Sequence, residues 1–96
     1  MAGYKFSWDT AKNQANIKKH GIDFNDAQTA FYDENAMILA DEEHSEDEER
    51  FILIGIDFNA RLLNVCHCYR NGDSVVRIIS ARKANKQEIR IYGDNL

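Results

Sequence analysis

The chain has 96 residues, 44% of them apolar and 29% charged, with no proline and two cysteines, a size that predicts one domain over 1–96 around a single modest core. No apolar run approaches a membrane span and the N-terminus lacks the apolar segment of a signal peptide, so a cytoplasmic protein without a membrane partner is expected. The net charge of −4 misleads as an average, because residues 41–50 hold seven of the sixteen acids and one of the twelve Lys and Arg residues, leaving the remaining chain at +2 and able to meet an anion.

Tyr4-Lys5-Phe6-Ser7-Trp8 alternates and reads as a short strand. Asp9 is a good N-cap for a helix over Thr10–His20, which Gly21 ends, with Lys18, Lys19 and His20 placed favourably for the helix dipole. That helix has few apolar residues; Lys12, Asn16 and Lys19 form one polar stripe, read as a solvated face. A second helix runs from Asn25 or Asp26 to Tyr32 with Asn25 as its cap. Ala36–Ala40 reads as a strand and Asp41–Arg50 as a mobile solvated loop.

Phe51–Asp57 is the most apolar stretch and is expected as a central strand, followed by Arg61–Tyr69. Asn71-Gly72 signals a two-residue hairpin turn, and Ser74–Ser80 returns antiparallel. A last helix from Ala84 to Tyr92 is expected to bury Ala84, Ile89 and Tyr92. The order predicts an α+β fold: an N-terminal strand and two helices, a four-stranded antiparallel meander and a C-terminal helix, with the helices on one face.

Two-residue turns at both hairpins pair Tyr69 with Ser74, Val65 with Ile78, Arg61 with Arg82 and Ile56 with Leu63. Ile52, Ile54, Ile56, Leu63, Val65, Tyr69, Val76 and Ile78 then face the helices. Glu49, Phe51, Leu53, Gly55, Asn64, Cys66, Cys68, Arg77 and Ile79 face away. On that face Arg77 needs a carboxylate or a phosphate; at the end of the sheet, on the other face, Arg61 beside Arg82 suits a bound anion. The alternatives are ion pairs of Arg77 with Glu49 or of Arg82 with Glu88.

Cys66-His67-Cys68 does not read as a metal site, since a strand sends His67 opposite to the cysteines. Two cysteines so placed are poorly set to bridge, and read as small buried groups in a reduced compartment. Glycine-rich phosphate loops and nucleophile elbows are absent from the sequence. Metal-independent chemistry by Lys, His, Arg and Glu remains, with no cofactor expected. Phosphodiester cleavage fits that inventory, with His20 and Lys19 as acid/base candidates and Glu49 as the carboxylate nearest Arg77.

The ordered set Phe6-x-Trp8-Asp9, Lys12-x-x-x-Asn16, Lys19-His20-Gly21-Ile22-x-Phe24, Glu49-Arg50, Gly55, Arg61-x-Leu63 and Arg77-Ile78-Ile79-Ser80-Ala81-Arg82-x-Ala84-x-x-x-Glu88-x-x-x-Tyr92 resembles the BrnT family of bacterial toxins, from Phe6 to Tyr92. The resemblance implies a RelE-like fold and a type II toxin that cuts RNA and blocks translation. It also implies a BrnA-like ribbon-helix-helix antitoxin, with operator DNA reached only through the complex. By position it makes Arg61, Arg77 and Arg82 phosphate or transition-state contacts, Lys19 and His20 acid/base candidates, and Trp8 a stacking or structural residue, with Lys12 a further RNA contact. The other reading of the chain is a non-catalytic module that pairs with a DNA-binding antitoxin-like partner.

Overall fold

A computed structural model describes residues 4–45 and 47–96; Glu46, part of the acidic segment, lies outside them. Strands β1 (Lys5–Ser7), β2 (Met37–Ala40), β3 (Phe51–Ile56), β4 (Leu62–Arg70) and β5 (Val75–Lys83) build one sheet in the order β1-β5-β4-β3-β2. The neighbours from β2 to β5 are antiparallel, whereas β1 adds to the edge of β5 in parallel. The sheet is therefore five-stranded and mixed: the N-terminal strand, expected beside a four-stranded antiparallel meander without a stated partner, joins it in parallel. A strand followed by helices reaches a parallel partner only through a long crossover, which local patterning does not reveal.

Helix α1 (Thr10–His20) begins and ends where its caps require: Asp9 accepts from the Lys12 amide at 3.0 Å, and Gly21 stands at φ 71°. Helix α2 (Phe24–Ala27) continues as a 3₁₀ turn over Gln28–Tyr32, and its cap is Asp23, not Asn25. These helices cover one sheet face around a core of Ile22, Phe24, Ala27, Ala30, Phe31, Leu53, Leu63, Val65, Val76, Ile78 and Ala81. Burial of those side chains is the main stabilising term.

Two asparagines dock α1, a role that its meagre apolar face leaves open. Asn13 accepts the Phe24 amide at 2.8 Å and donates to Asp23 at 3.1 Å. Asn16 donates to the carbonyls of Ile22 at 2.9 Å and Ala81 at 2.8 Å, and accepts the Ala81 amide at 3.1 Å. The expected solvated stripe is thus corrected at Asn16, which is buried. Beyond the three β5 residues that β1 pairs, this side chain satisfies the strand edge as a neighbouring strand would.

Three loop geometries reset the register. At the β4–β5 turn Asn71, Gly72 and Asp73 all take positive φ, making the connection four residues long and pairing Tyr69 with Val76. An irregularity opposite Cys66 and His67 then leaves Ile79 without a direct partner, so Val65 meets Ala81 and Arg82 meets Asn64. Between β3 and β4, Asp57 accepts the Asn59 and Arg61 amides at 3.0 and 2.9 Å and stabilises a five-residue loop, so Ile56 pairs with Leu62. That one-residue slip reverses β3: Leu53 enters the helix-side core, and Ile52 lines the outer face. The β4–β5 register, which sets Arg82 opposite Asn64, removes the expected Arg61–Arg82 pair.

Helix α3 (Lys86–Asp94) lies on the outer face, opposite α1 and α2, correcting the expectation of helices on one face. Its Glu88 bonds Asn64 and Arg82 there, and its buried Tyr92 donates to Asp33 at 2.6 Å. An Asn85–Glu88 capping box starts the helix two residues later than expected, which points Glu88, Ile91 and Tyr92 inward and leaves Ile89 exposed. Ala84 precedes the helix and is only part-buried.

Replacing Asn16 with Ala orphans two buried backbone groups of Ala81. Equilibrium urea unfolding is expected to show a loss of about 2–4 kcal/mol with an unchanged slope, far beyond the effect of Gln14→Ala on the exposed side of the same helix.

Candidate active site

β5 carries the chemistry, because its residues alternate between core and outer face until the bulge at Ile79. Val76, Ile78 and Ala81 point into the helix-side core, whereas Arg77 and Arg82 do not. The remaining strand edge belongs to α1, and Ile79 and Ser80 line shallow depressions in both directions. One, of about 230 Å³, is completed by Lys12, Ala15, Asn16, Lys19 and His20. The other, of about 210 Å³, is completed by Asp41, His44, Arg50, Ile52, Asn64, Cys66 and Arg82. Basic groups from α1, β5 and the acidic segment therefore border one short stretch of strand.

Each sequence-derived candidate now has a position. Arg77 is part-buried beside Ser7, whose hydroxyl lies 3.4 Å from its guanidinium, and with Arg70 and Asn71 they border a depression of about 330 Å³. Among the described residues no carboxylate lies within ion-pair distance of Arg77. Arg61 is engaged instead: its guanidinium bonds the buried Asp57 carboxylate at 2.7 and 3.1 Å and approaches Asp26 at 3.6 Å. It braces the β3–β4 loop, away from Arg82.

Glu49 is exposed and borders a different depression, of about 500 Å³, with Glu48, Phe51, Tyr69 and Asp73. Its three carboxylates, Glu48, Glu49 and Asp73, repel a phosphate. The geometry thus does not bring Glu49 together with Arg77. Trp8 is part-buried against the core, edge-on to Phe24 at 6.2 Å.

Arg82 is gripped as the alternative reading allowed. Its two terminal nitrogens bond the two Glu88 oxygens at 2.8 and 2.9 Å, a fork that fixes the guanidinium while leaving it part-exposed. Asn64 donates to the same carboxylate at 2.7 Å, and the Asn85 amide does so at 2.9 Å. Burial alone pushes the Glu88 carboxyl up; bonds from Arg82, Asn85 and Asn64, with the Arg82 charge, outweigh it and hold the group below its ordinary value.

Sequence reasoning missed His44, Asp41 and Arg50. The acidic segment is tied at its base and is not simply a solvated loop. The Asp41 amide donates to the Arg50 carbonyl at 2.9 Å, and Ser45 accepts the Arg50 amide at 2.9 Å while donating to the Asp41 carbonyl at 2.6 Å. A 3₁₀ turn over Glu42–His44 brings the His44 Nδ1 within 3.0 and 3.1 Å of the Asp41 carboxylate. The only sequence signal was His44 three residues after Asp41 and six before Arg50, a spacing hidden in the run of acids.

The cysteines are buried on the outer face, where burial pushes both thiols up and leaves them poor nucleophiles. His67 points to the helix side, with Nδ1 at 3.0 Å from the Val65 carbonyl, and burial lowers its pKa. Among the described residues no three His, Cys, Asp or Glu side chains form a potential metal cluster. No helix among them is long and apolar enough to cross a membrane.

The chain is thus an α+β layer with a cationic, histidine-bearing margin on its sheet. A 1.1 Å crystal structure of the Brucella abortus ribonuclease toxin BrnT is similar to it, with TM-score 0.65 and 28% identity, covering 88% of this chain and all of that one. The family described as "Ribonuclease toxin, BrnT, of type II toxin-antitoxin system" matches residues 8–88, and the chain belongs to that family. No curated protein matches its sequence.

Glu88→Gln tests the electrostatics of this margin. Because the folded Glu88 is more acidic than the unfolded one, its contribution is complete above about pH 4.5 and is lost as pH falls through the lower folded value. The variant should lose about 1–3 kcal/mol at pH 7 and show a shallower decline in stability below pH 4.5.

Proposed function

We propose that this chain, as one domain over 1–96, is a ribonuclease that needs no metal, cuts RNA and thereby blocks translation in the cytoplasm. The observation that carries this reading is the convergence of Arg82, Arg50, Lys12, Lys19 and His20 on the two depressions that share Ile79 and Ser80. Arg77 extends the cationic track along the same strand, held to no carboxylate among the described residues. A single-stranded backbone crossing this margin meets several positive groups in succession.

The reaction suits these residue types. The RNA supplies its own nucleophile, the 2′-hydroxyl, so catalysis requires proton transfer and stabilisation of charge on phosphorus oxygens. Arg77 and Arg82 contribute charge, with Lys19 and His20 as proton-transfer groups from the neighbouring helix. Lys12 serves as a backbone contact. Arg61 acts through the loop it braces, Trp8 through its packing against Phe24 and the core, and Glu49 contributes nothing to phosphate binding.

The RelE-like reading rests on catalytic groups carried by a sheet surface. As a type II toxin the chain has an antitoxin partner, which we take to be a BrnA-like ribbon-helix-helix protein through which the pair reaches operator DNA. The acidic segment gives a basic partner a complementary surface.

Expressing the chain alone should arrest growth, and Arg77→Ala should relieve the arrest while leaving the unfolding midpoint within a few degrees. Purified protein should cleave single-stranded RNA in EDTA and leave 2′,3′-cyclic phosphate ends. The Arg77→Ala rate should fall about 10- to 1000-fold. Growth arrest of equal strength by Arg77→Ala would remove that residue from the mechanism.

A further inference from the structure

Basic groups explain how the margin binds a phosphate, but not which group receives the 2′-hydroxyl proton. His44 has the geometry for it. Its Nδ1 faces the Asp41 carboxylate at 3.0 Å, so a neutral ring that donates there leaves Nε2 as an acceptor. Asp41 is itself fixed: its side chain is only 12% exposed, its amide donates to the Arg50 carbonyl, and its own carbonyl accepts from Ser45. The His44 ring, by contrast, is 61% exposed and reachable. It shares its depression with the guanidinium-bearing Arg50 and Arg82 and with the Ser80 hydroxyl. His20 lacks such an orienting partner, since no side-chain hydrogen bond holds its ring among the described residues.

We propose that His44, oriented by Asp41, is the general base of RNA cleavage, with Arg50 and Arg82 holding the scissile phosphate between them. This assignment rests on the ribonuclease reading above and adds residues that reading did not use as catalysts. The 2′-oxygen–phosphorus bond forms as the phosphorus–5′-oxygen bond breaks. The 2′-hydroxyl proton passes to His44 Nε2, the departing 5′-oxygen takes a proton from protonated Lys19 or His20 across the shared Ile79–Ser80 stretch, and solvent then takes the His44 proton and reprotonates the donor. The products are a 2′,3′-cyclic phosphate and a 5′-hydroxyl, so no external oxidant, reductant or metal enters the balance. Asp41 is a positioning residue: it fixes the tautomer and stabilises the imidazolium that forms.

The charged groups facing His44 come from both sides. Asp41, Arg50 and Arg82 line the substrate side, and Glu43, Asp47 and Glu48, again with Arg50, line the other.

The test is single-turnover cleavage in EDTA of a single-stranded RNA, by the full chain and by His44→Gln and Asp41→Asn. Each is assayed over a range of protein concentrations and repeated on the same RNA with sulfur replacing the scissile 5′-oxygen. His44→Gln should lose about 100-fold or more, keep its unfolding midpoint, and stay equally impaired on the sulfur substrate, whose leaving group needs no acid. Asp41→Asn should lower the rate at saturating protein about 10-fold while leaving the half-saturating protein concentration unchanged, a split that a merely structural role would not produce. An undiminished rate for His44→Gln overturns the assignment and leaves the ribonuclease reading standing. Recovery on the sulfur substrate also overturns it, making His44 an acid. If the parent chain leaves RNA intact with and without ribosomes, the ribonuclease reading falls and the base falls with it.

Discussion

The arrangement depends on one amide side chain. Asn16 gives a donor and an acceptor to Ala81 and a second donor bond to Ile22, all within a buried boundary between α1 and β5. A helix with so few apolar residues has little hydrophobic force with which to dock, so a satisfied polar anchor decides where it sits. Leaving those backbone groups unpaired would cost more than the bonds contribute when made. Because the anchor is in the middle of α1, Lys12 precedes it by one turn and Lys19 and His20 follow it. Those three residues therefore reach the Ile79–Ser80 stretch as a consequence of the same contact.

Charge is divided with similar economy. Three arginines flagged by sequence have three different situations. Asp57 takes Arg61 into the β3–β4 loop, Glu88 clamps Arg82 without hiding it, and Arg77 has a hydroxyl for its nearest side-chain acceptor. A guanidinium fixed by a carboxylate loses part of its attraction for phosphate but gains a defined direction, whereas an uncommitted one keeps its full charge. Arg82 thus suits positioning and Arg77 suits charge stabilisation. The surplus of acids is concentrated in the 41–50 segment, where Asp41 orients His44 and Glu48 pairs with Arg70 at 3.1 Å. A chain of net charge −4 can therefore keep a cationic margin beside an acidic one.

Much of the local structure was legible because it follows from nearest-neighbour chemistry. Asp9 and Gly21 delimit α1, Arg77 lies away from the helix-side core, and Cys66 and Cys68 are buried on one face with His67 on the other. What failed was counting across loops. Three consecutive left-handed residues after Arg70, the Asp57-stabilised loop and the extra residue at Ile79 each change a register by one or two positions. Since strand faces alternate, the single slip before β4 was enough to reverse all of β3. The Arg61–Arg82 pair disappeared because the longer β4–β5 turn and the extra residue at Ile79 set Arg82 opposite Asn64. The sequence offered Lys12, Lys19, His20 and Arg82 as candidates without showing that they border one short stretch of β5, and it left His44 aside, because that ring comes beside Arg82 only when the acidic segment folds against the sheet.

The central claim is that RNA engages the sheet margin centred on Ile79 and Ser80. Titrating a non-cleavable 2′-O-methyl oligonucleotide into isotopically labelled protein and following backbone amides tests it most directly. The largest shifts should fall on Arg77–Arg82, on Lys19 and His20, and on His44 and Arg50, and should weaken as salt rises. Shifts confined to the acidic hollow at Glu49, Tyr69 and Asp73, or to the exposed Phe58 loop, would contradict the account.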